Sequence, residues 1–272
     1  MPARVLATPL GGTKPNLADV TLIAATSVAA TATLRALERC IAQADFGAVR
    51  LLTDQPPPGL EETIIEMHRI APIRSRSDYS RFILERLVDF VDTRFALIVQ
   101  WDGYVTNGAC WRQQFLDYDY IGAPWPHFHD GSAVGNGGFS LRSRRLLAAC
   151  GSLGQFDDCE EDVLICRVHR ERLESEFGLR FAPVSIARHF AYERSPRNGN
   201  EFGFHGVFNM MHDMPTKEFV EVLSTLEPRL LGRRESGEII RHAARTVNLP
   251  TLRQGLRQRF RVPFDGNSYR AN

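Results

Sequence analysis

The sequence places a carboxylate just after a short apolar run, an arrangement suited to metal binding. Residues 95–99 read Phe-Ala-Leu-Ile-Val, a stretch typical of a strand buried on both faces. Asp102 follows at the edge where open α/β sheets bind ligands. Its carboxylate could hold a divalent cation that clamps a diphosphate. Gly103 comes next, and because Asp-Gly is ordinary turn chemistry, a simple turn is the commoner explanation when these residues are taken alone.

A second candidate is the glycine-rich stretch Gly-Asn-Gly-Gly at residues 135–138. Positions without side chains let the backbone approach a ligand closely. The stretch precedes a predicted strand and does not match the dinucleotide fingerprint, and it lacks the Lys-Ser/Thr ending of a P-loop. The alternative is a bulge or a tight connection into that strand, and the residues alone do not decide between the two.

Two further positions carry groups that transfer protons or bind metals. Glu161 and Asp162 stand at the predicted start of a helix, where Asp162 could act as a general base toward an acceptor hydroxyl. Acidic residues in a first helical turn also offset the helix dipole, so helix capping is the competing explanation. His205, between Phe204 and Gly206, could be a metal ligand, a phosphate donor or a hydrogen-bonded loop residue.

Alternating strands and helices must position these groups in the amino-terminal half. A strand, an amphipathic helix and a second strand predict a parallel βαβ unit. A helix capped by Asp78 presents Tyr79, Ile83, Leu87 and Val91 to the sheet as an apolar stripe. The predicted order is strand, helix, strand, short helix, short strand and helix, at residues 20–25, 31–44, 49–53, 61–69, 70–73 and from 78 onward.

The later half is predicted to hold a strand at 139–141, a helix at 144–150, helical character at 163–168 and a strand at 181–187. Helices are predicted through residues 214–262, with breaks near Pro228, Gly232 and Pro250. Aromatic residues crowd the segment 101–128, which is consistent either with a hydrophobic cluster under long loops or with the walls of a sugar-binding pocket.

Composition narrows the class of protein. The chain has 272 residues, 43% hydrophobic, so a single large α/β domain with an appendage is expected. Its 33 basic residues nearly balance 32 acidic ones, which gives no reason to expect nucleic acid as a partner. The five cysteines lack paired spacing and are expected to be reduced thiols, and no apolar run reaches transmembrane length. A cytoplasmic location is the expectation.

Five motifs taken together, in this order, resemble one family. It is a bacterial and eukaryotic group long described as a domain of unknown function and placed near the GT-A glycosyltransferases. The resemblance covers residues 18–212, which predicts an irregular lead-in at 1–17 and a helical carboxyl-terminal appendage at 213–272. The motifs are Gln-Trp-Asp-Gly at 100–103, Asp-Tyr-Ile-Gly-Ala-Pro-Trp at 119–125, Gly-Asn-Gly-Gly-Phe-Ser-Leu-Arg at 135–142, Glu-Asp at 161–162 and Phe-His-Gly at 204–206.

The resemblance implies a GT-A-like mixed sheet flanked by helices, and a role for each motif. Asp102 corresponds to the last carboxylate of the DxD motif, which holds a divalent metal, Mn²⁺ or alternatively Mg²⁺, against the donor diphosphate. Gln100 stands where that motif has its first Asp, and His205 corresponds to the carboxyl-terminal metal-binding histidine. Asp162, with Glu161 beside it, corresponds to the base of the xED motif in inverting Fringe-like enzymes, whereas the pair His205-Gly206 resembles a motif of retaining glycogenin-like enzymes.

The resemblance also assigns the binding surfaces. Donor and nucleotide binding is assigned to Ala25, Thr26, Ser27, Gln100, Trp101, Asp102, Gly137 and Gly138. The acceptor or sugar pocket is assigned to Trp125 and Asn136.

The implied activity is transfer of a sugar from a nucleoside diphosphate sugar, with UDP favoured, to the hydroxyl of a glycan, a lipid-linked glycan or a protein. A non-catalytic nucleotide- or glycan-binding module is the main alternative, and a nucleotidyltransferase is a third. In the tail, Leu252, Leu256 and Phe260 recur at helical spacing among arginines 253, 257, 259 and 261. That pattern fits either peripheral contact with an anionic membrane, at its inner face, or a solvated basic helix.

Overall fold

A computed structural model describes residues 13–154, 159–227 and 230–261. These residues form two compact units, the first ending at His205 and the second beginning at Gly206. In the described ranges, the strands all belong to the first unit. They are β1 (Asn16–Ala25), β2 (Asp45–Thr53), β3 (Glu66–Arg69), β4 (Phe95–Val99), β5 (Tyr104–Val105), β6 (Tyr120–Ile121), β7 (Phe139–Ser143), β8 (Ala191–Tyr192) and β9 (Gly203–Phe204).

Helices occupy the connections of the first unit and make up most of the second. The first unit has α1 (Ala30–Gln43), α2 (Arg76–Glu85), α3 (Arg144–Cys150), α4 (Glu161–Val163), a π-helical turn (Leu164–Val168), α5 (Arg170–Phe177) and α6 (Val184–Phe190). The second has α7 (Val207–Met210), α8 (Thr216–Thr225), α9 (Arg233–Arg245) and α10 (Leu249–Arg261).

Six strands form a mixed sheet in the order β3-β2-β1-β4-β7-β6, which confirms the predicted α/β class. Strands β1 to β4 run parallel to one another, whereas β7 runs antiparallel to β4 and β6 antiparallel to β7. The chain moves outward from β1 to β2 and β3, then returns to place β4 on the other side of β1. This reversal makes the carboxyl ends of β1 and β4 the topological switch point, where open α/β sheets bind ligands.

The central strands are buried on both faces. Ile23 and Ala25 of β1 and Ile98 of β4 share one cluster with Ile83 of α2 and Leu87 of the 3₁₀ turn that follows α2. The alternate residues of β1 and β4 are also buried, among them Leu22, Ala24 and Leu97. Burial on both faces explains why these strands read as continuous apolar runs in the sequence. It also holds the loops that follow β1 and β4 on a rigid base.

The segment 61–73 differs from its prediction. Only residues 60–62 form a helical turn, and residues 66–69 form the edge strand β3 in place of a helix. The Thr63 hydroxyl accepts the Ile65 N–H and donates to the Leu60 carbonyl, which ends the turn. Arg50 of β2 then pairs with Glu66 across the ladder at 3.2 Å. Residues 70–73, predicted as a strand, lie beyond the end of β3.

One predicted helix cap and one predicted strand are also wrong. Ser75, not Asp78, caps α2, because the Asp78 N–H donates to the Ser75 hydroxyl at 3.0 Å. Phe181 makes only an isolated bridge to Tyr120, and a helix follows it where the strand 181–187 was predicted. Pro183 precedes that helix and its carbonyl accepts the first helical hydrogen bonds. The apolar pattern of 181–187 therefore reflects burial of a bend and a short helix.

The second unit packs α9 against α10 and α7, and α10 against α8. Pro250 does not break the last helix, since it occupies the second position of α10, where a missing N–H costs nothing. The break falls at residues 246–248, where Val247 adopts a positive φ of 53°. The break predicted at Pro228 and most of the predicted lead-in lie outside the described residues. None of the described helices is long and apolar enough to cross a membrane.

Candidate functional site

The carboxyl ends of β1 and β4 bring two predicted segments to one edge of the sheet. β1 pairs with β4 in parallel register, Ile23 opposite Ile98, so residues 25–27 and 100–102 leave the sheet side by side. The hydroxyl groups here make local contacts. Thr26 hydrogen-bonds with both backbone groups of Val28, and the Ser27 hydroxyl accepts the Ile73 N–H at 2.8 Å. These contacts hold the loop after β1 in one conformation.

Asp102, Gln100 and His205 converge beyond β4. Oδ1 of Asp102 lies 3.3 Å from Nε2 of His205, and Oε1 of Gln100 lies 3.3 Å from the same nitrogen. The side chains of Asp102 and His205 are mostly buried. The structure therefore brings the two predicted metal ligands together, and it adds the amide oxygen of Gln100 to the same point.

In the protein without a bound cation, the groups around His205 favour its protonated, positively charged form. Burial lowers the pKa of His205, but the carboxylates of Asp102 and Glu193 act in the opposite direction and together raise it to about 10. Glu193 contributes from the other side of the ring, with Oε1 3.4 Å from Nδ1. A cation that binds between Asp102 and Nε2 must therefore compete with a proton.

The glycines of the loop 135–138 leave room for side chains of the site. A β-carbon at Gly138 would overlap the His205 imidazole, and one at Gly137 would overlap the Glu161 carboxylate. A β-carbon at Gly135 would overlap the Trp125 ring. The backbone of this loop thus lies directly on the groups that could do chemistry. The Gln100 N–H donates to the Gly138 carbonyl at 2.9 Å, which ties the loop to the end of β4.

Asp162 faces the same loop. Its Oδ2 accepts the Gly137 N–H at 2.9 Å, and its Oδ1 accepts the Val163 N–H at 2.8 Å. Burial and the neighbouring Glu161 raise the pKa of Asp162 to about 7, against the opposing effects of the Gly137 N–H and Arg142. A carboxylate with this pKa can accept a proton near neutral pH, as a general base must.

Glu161 makes a buried ion pair. Its Oε1 lies 2.9 Å from Nη2 of Arg142, and both side chains are almost completely buried. The Arg142 Nε also donates to the Ser140 hydroxyl at 3.0 Å, and the guanidinium lies 5.1 Å from the centre of the Tyr120 ring. The Glu161 carboxylate is therefore engaged in holding Arg142 beneath the glycine loop, next to Asp162.

Glu161→Gln is expected to destabilise the protein by about 3–5 kcal/mol, because it leaves the buried Arg142 charge without its partner. Urea unfolding followed by circular dichroism measures this loss. Glu160→Gln is the matched control, since Glu160 is the preceding residue and its side chain is half exposed. A Glu161→Gln variant that unfolds like the wild type yet fails in turnover would instead give Glu161 a catalytic role.

The two residues assigned to the acceptor pocket are engaged with the protein itself. Asn136 is buried with a φ of 71°, and its Oδ1 accepts the N–H groups of Gly138 and Phe139. Trp125 belongs to a buried cluster with Tyr120 and lies against Gly135. Trp101 is partly exposed in the turn after β4. Of the aromatic residues in 101–128, several are core residues: Tyr104, Phe115, Tyr120 and Trp125.

Three side chains at the site were not predicted. Arg142 is fully buried in β7, Glu193 contacts His205, and Tyr79 of α2 lies near Gln100 and Glu161. Arg142 had a signal in the sequence, because an arginine inside an apolar strand needs an anionic partner. Glu193 had none, because it follows a strand of two residues.

These observations define a class: a mixed α/β protein whose switch point carries an Asp-Gln-His cluster and, beside it, a carboxylate with a raised pKa. In the described ranges, no three His, Cys, Asp or Glu side chains are arranged to hold a metal by themselves. Residues 63–205 match the family described as "Protein of unknown function (DUF5672)". That match spans more than half of the chain, and the protein belongs to this family.

Two solved structures of glycosyltransferases show low similarity to the chain. It is similar to the apo-form glycosyltransferase GlyE in Streptococcus pneumoniae TIGR4, with a TM-score of 0.41, 13% identity and coverage of 71% of this chain and 54% of that one. It thus spans about half the length of that protein. It is also similar to a glycosyltransferase involved in the glycosylation of the major capsid of PBCV-1, with a TM-score of 0.44, 12% identity and coverage of 74% and 96%. No curated protein matches the chain significantly.

Proposed function

We propose that this protein is a metal-dependent glycosyltransferase that moves a sugar from a nucleoside diphosphate sugar to an acceptor hydroxyl. One observation carries the proposal: an oxygen of Asp102 and one of Gln100 each lie 3.3 Å from Nε2 of His205 at the carboxyl end of β4, beside the end of β1. A switch-point site with oxygen and imidazole ligands suits a divalent cation and a diphosphate. Asp162 lies nearby, and its raised pKa suits a group that accepts the proton of the acceptor hydroxyl.

The residues present fit a divalent cation such as Mn²⁺ or Mg²⁺. Adjacent ligands of an octahedral ion with bonds of about 2.1 Å lie about 3 Å apart, close to the 3.3 Å separations around Nε2 of His205. Asp102, Gln100 and His205 would hold the ion, and the diphosphate and water would supply the remaining ligands. Once bound, the ion offsets the charge that develops on the leaving diphosphate.

The donor nucleotide is assigned to the loop after β1, at Ala25, Thr26 and Ser27. This loop is next to the metal cluster because β1 and β4 are neighbours in the sheet. We assign the sugar to the glycine loop 135–138, which contacts Asp162 through the Gly137 N–H. UDP is the favoured nucleotide, because the family resemblance implies it.

Asp162 is assigned as the base of an inverting displacement. The acceptor oxygen attacks the anomeric carbon while its proton passes to the Asp162 carboxylate. The bond between the anomeric carbon and the diphosphate oxygen breaks at the same time, and the diphosphate leaves with that electron pair. A glycan, a lipid-linked glycan or a protein hydroxyl is the acceptor class. Gly137 holds Asp162 in place through its N–H.

A thermal-shift screen of nucleoside diphosphate sugars, with and without Mn²⁺, tests this function. A ligand that binds only the folded state stabilises it by mass action, and the melting temperature rises. At a ligand concentration one hundred times the Kd, the free energy of unfolding increases by about 2.7 kcal/mol. The cognate donor is expected to stabilise the protein only when Mn²⁺ is present. Equal shifts with free nucleoside triphosphates, or no shift with any donor, would contradict the proposal.

The main alternative is a binding module that holds a nucleotide or glycan without turnover. Gln100 favours it, because a neutral amide replaces the first carboxylate of the DxD motif and weakens the attraction for a cation. A binding module would show the thermal shift but release no nucleoside diphosphate from the donor. A nucleotidyltransferase would instead release pyrophosphate from a nucleoside triphosphate.

Helix α10 supports a proposal about where the acceptor lies. Leu249, Leu256 and Phe260 share one face of the helix and are exposed, Phe260 at 84%. Polar residues are buried on the opposite side, among them Gln254 and Gln258. Apolar residues that face solvent while polar ones are buried mark an interaction surface.

The charge of α10 favours an anionic membrane as the partner of this surface. The helix contains four arginines and no acidic residue, and Arg253 and Arg257 lie exposed beside the apolar stripe. Such helices lie in the interface of anionic bilayers, with apolar residues inserted and basic residues at the headgroups. The family resemblance includes lipid-linked glycans among the acceptors, and membrane binding would hold the protein at a surface that carries them.

Vesicles that contain phosphatidylserine are expected to co-sediment the full chain. Replacing Arg253 and Arg257 by glutamine should weaken binding about fivefold for each arginine, and Phe260→Ser should weaken it further. Ile64→Ser is the matched control, since Ile64 is 76% exposed but lies outside α10. Equal vesicle binding by all variants would contradict the proposal that α10 contacts the membrane. Self-association of the protein through α10 in the absence of vesicles would contradict it as well.

A further inference from the structure

The small sheet brings Glu193 to the proposed metal cluster. Strands β5, β9 and β8 are neighbours in that order, and their register aligns Tyr104 with Phe204 and Phe204 with Tyr192. β5 runs antiparallel to β9, whereas β8 runs parallel to it. Tyr104, Phe204 and Tyr192 thus lie side by side across the small sheet. The residues next to them, at the same edge of this sheet, are Gly103, His205 and Glu193. Three short strands thus bring together residue 103 and the later residues 193 and 205.

His205 is held in one orientation. Its backbone N–H donates to the Tyr192 carbonyl at 3.1 Å, which fixes the residue at the end of β9. Gly138 and Gly103 pack so closely on the ring that a β-carbon at either position would crowd it. The ring is thus confined between two glycines, and its two nitrogens face different carboxylates.

Glu193 faces the nitrogen on the side away from the cluster. Its Oε1 lies 3.4 Å from Nδ1 of His205, while Nε2 lies 3.3 Å from Asp102 and Gln100. The Glu193 side chain is only 19% exposed. A carboxylate that accepts the second N–H of a metal-binding histidine fixes the tautomer and raises the basicity of the ligand nitrogen.

We propose that Glu193 is a positioning residue that accepts the Nδ1 proton of His205 and thereby presents Nε2 to a divalent cation held with Asp102. The inference rests on the proposed metal-dependent function. Glu193 touches neither the cation nor the substrate. It acts through His205, by keeping the proton on Nδ1 and the lone pair of Nε2 directed at the cluster.

Titration of the protein with MnCl₂, with free Mn²⁺ followed by electron paramagnetic resonance in the presence and absence of UDP, tests this role. Glu193→Gln has nearly the same size but is a poorer acceptor for the Nδ1 proton. It is expected to weaken Mn²⁺ binding about 10- to 100-fold. Glu171→Gln, an exposed change on α5, is the matched control and should bind as the wild type does. His205→Ala gives the loss expected when the ligand itself is removed.

Thermal melts of each variant without metal separate positioning from folding. A Glu193→Gln variant that melts like the wild type but binds Mn²⁺ weakly supports the inference. Wild-type affinity in Glu193→Gln, while His205→Ala binds weakly, overturns it and leaves the proposed function intact. A wild-type protein that does not bind Mn²⁺ overturns the metal-dependent function and this inference together.

Discussion

Asp102→Ala is expected to abolish metal-dependent release of nucleoside diphosphate from the donor while the protein stays folded. Oδ1 of Asp102 faces Nε2 of His205 at 3.3 Å, and Asp102 is the negatively charged member of the cluster beyond β4. Without it, Gln100 and His205 present only neutral ligands to a cation. Loss of one group that stabilises the charge of the transition state lowers kcat by about 10²–10³-fold, and loss of the cation as well should lower it further.

Donor turnover with Mn²⁺ is measured for Asp102→Ala beside Asp117→Ala. Asp117 is an exposed carboxylate in the turn before β6, and its removal should leave turnover unchanged. The wild type in excess EDTA should behave as Asp102→Ala does. Full activity in Asp102→Ala, or in the wild type with EDTA, would eliminate the metal from the mechanism.

The second large effect is expected for Asp162→Asn, which should lower kcat by about 10²–10⁴-fold without changing donor binding. Asparagine keeps one acceptor oxygen for the Gly137 N–H that Asp162 Oδ2 accepts at 2.9 Å, so the glycine loop should keep its position, although its NH₂ group cannot accept the Val163 N–H. It cannot accept the proton of the acceptor hydroxyl. Single-turnover transfer measures the chemical step, and the donor-induced thermal shift measures binding.

The pH dependence provides a separate signature of Asp162. Because burial and Glu161 raise its pKa to about 7, wild-type activity should rise as the pH rises through 7, and the residual activity of Asp162→Asn should lack that limb. The raised pKa also means that the folded protein binds a proton which the unfolded chain releases between pH 3.8 and about 7. Stability from this group is lost as the pH rises through that window, so the stability of the wild type should fall relative to that of Asp162→Asn between pH 3.8 and about 7.

Two outcomes would contradict this role of Asp162. Turnover of Asp162→Asn within a few-fold of the wild type would reduce the residue to an anchor of the glycine loop and of the short helix α4. A product that retains the anomeric configuration of the donor, seen by proton NMR, would rule out the single inverting displacement. Glu160→Gln, at a half-exposed position two residues earlier, is the control for effects of surface charge.

Periodicity was sufficient to predict β1, β4 and α2, the elements around the switch point. The apolar runs of β1 and β4 and the stripe of α2 are buried in one core, and buried periodic segments keep a clear pattern in sequence. The order of the strands could not be obtained in the same way. It depends on the ladders that pair β4 antiparallel to β7, which join residues some forty positions apart.

Edges and short elements were predicted poorly for physical reasons. β3 is an edge strand whose charged residues pair with β2, so its sequence lacks an apolar alternation and resembles a helix. β5, β8 and β9 have two residues each, too few for any period to show. Because those strands place Glu193 beside His205, that contact had no signal in the sequence.

The glycine loop 135–138 could be recognised in the sequence, but the side chains for which its glycines make room could not. Its glycines predicted close approach of the backbone to a ligand, which stays a prediction. The structure shows close approach to side chains of the protein. Gly137 makes room for Glu161 and Gly138 for His205. The residues that require this space lie more than twenty positions away, so only the folded chain reveals the cause.

Release of nucleoside diphosphate tests the central proposal most directly. The full chain is incubated with the donor sugar that gives the largest Mn²⁺-dependent thermal shift, and the products are separated by ion-exchange chromatography. We predict that nucleoside diphosphate and the released or transferred sugar appear in equal amounts with Mn²⁺, and that Asp102→Ala and Asp162→Asn form neither at a comparable rate. A stabilising donor that remains uncleaved by the wild type, or pyrophosphate release from a nucleoside triphosphate, would contradict the assignment of this protein as a glycosyltransferase.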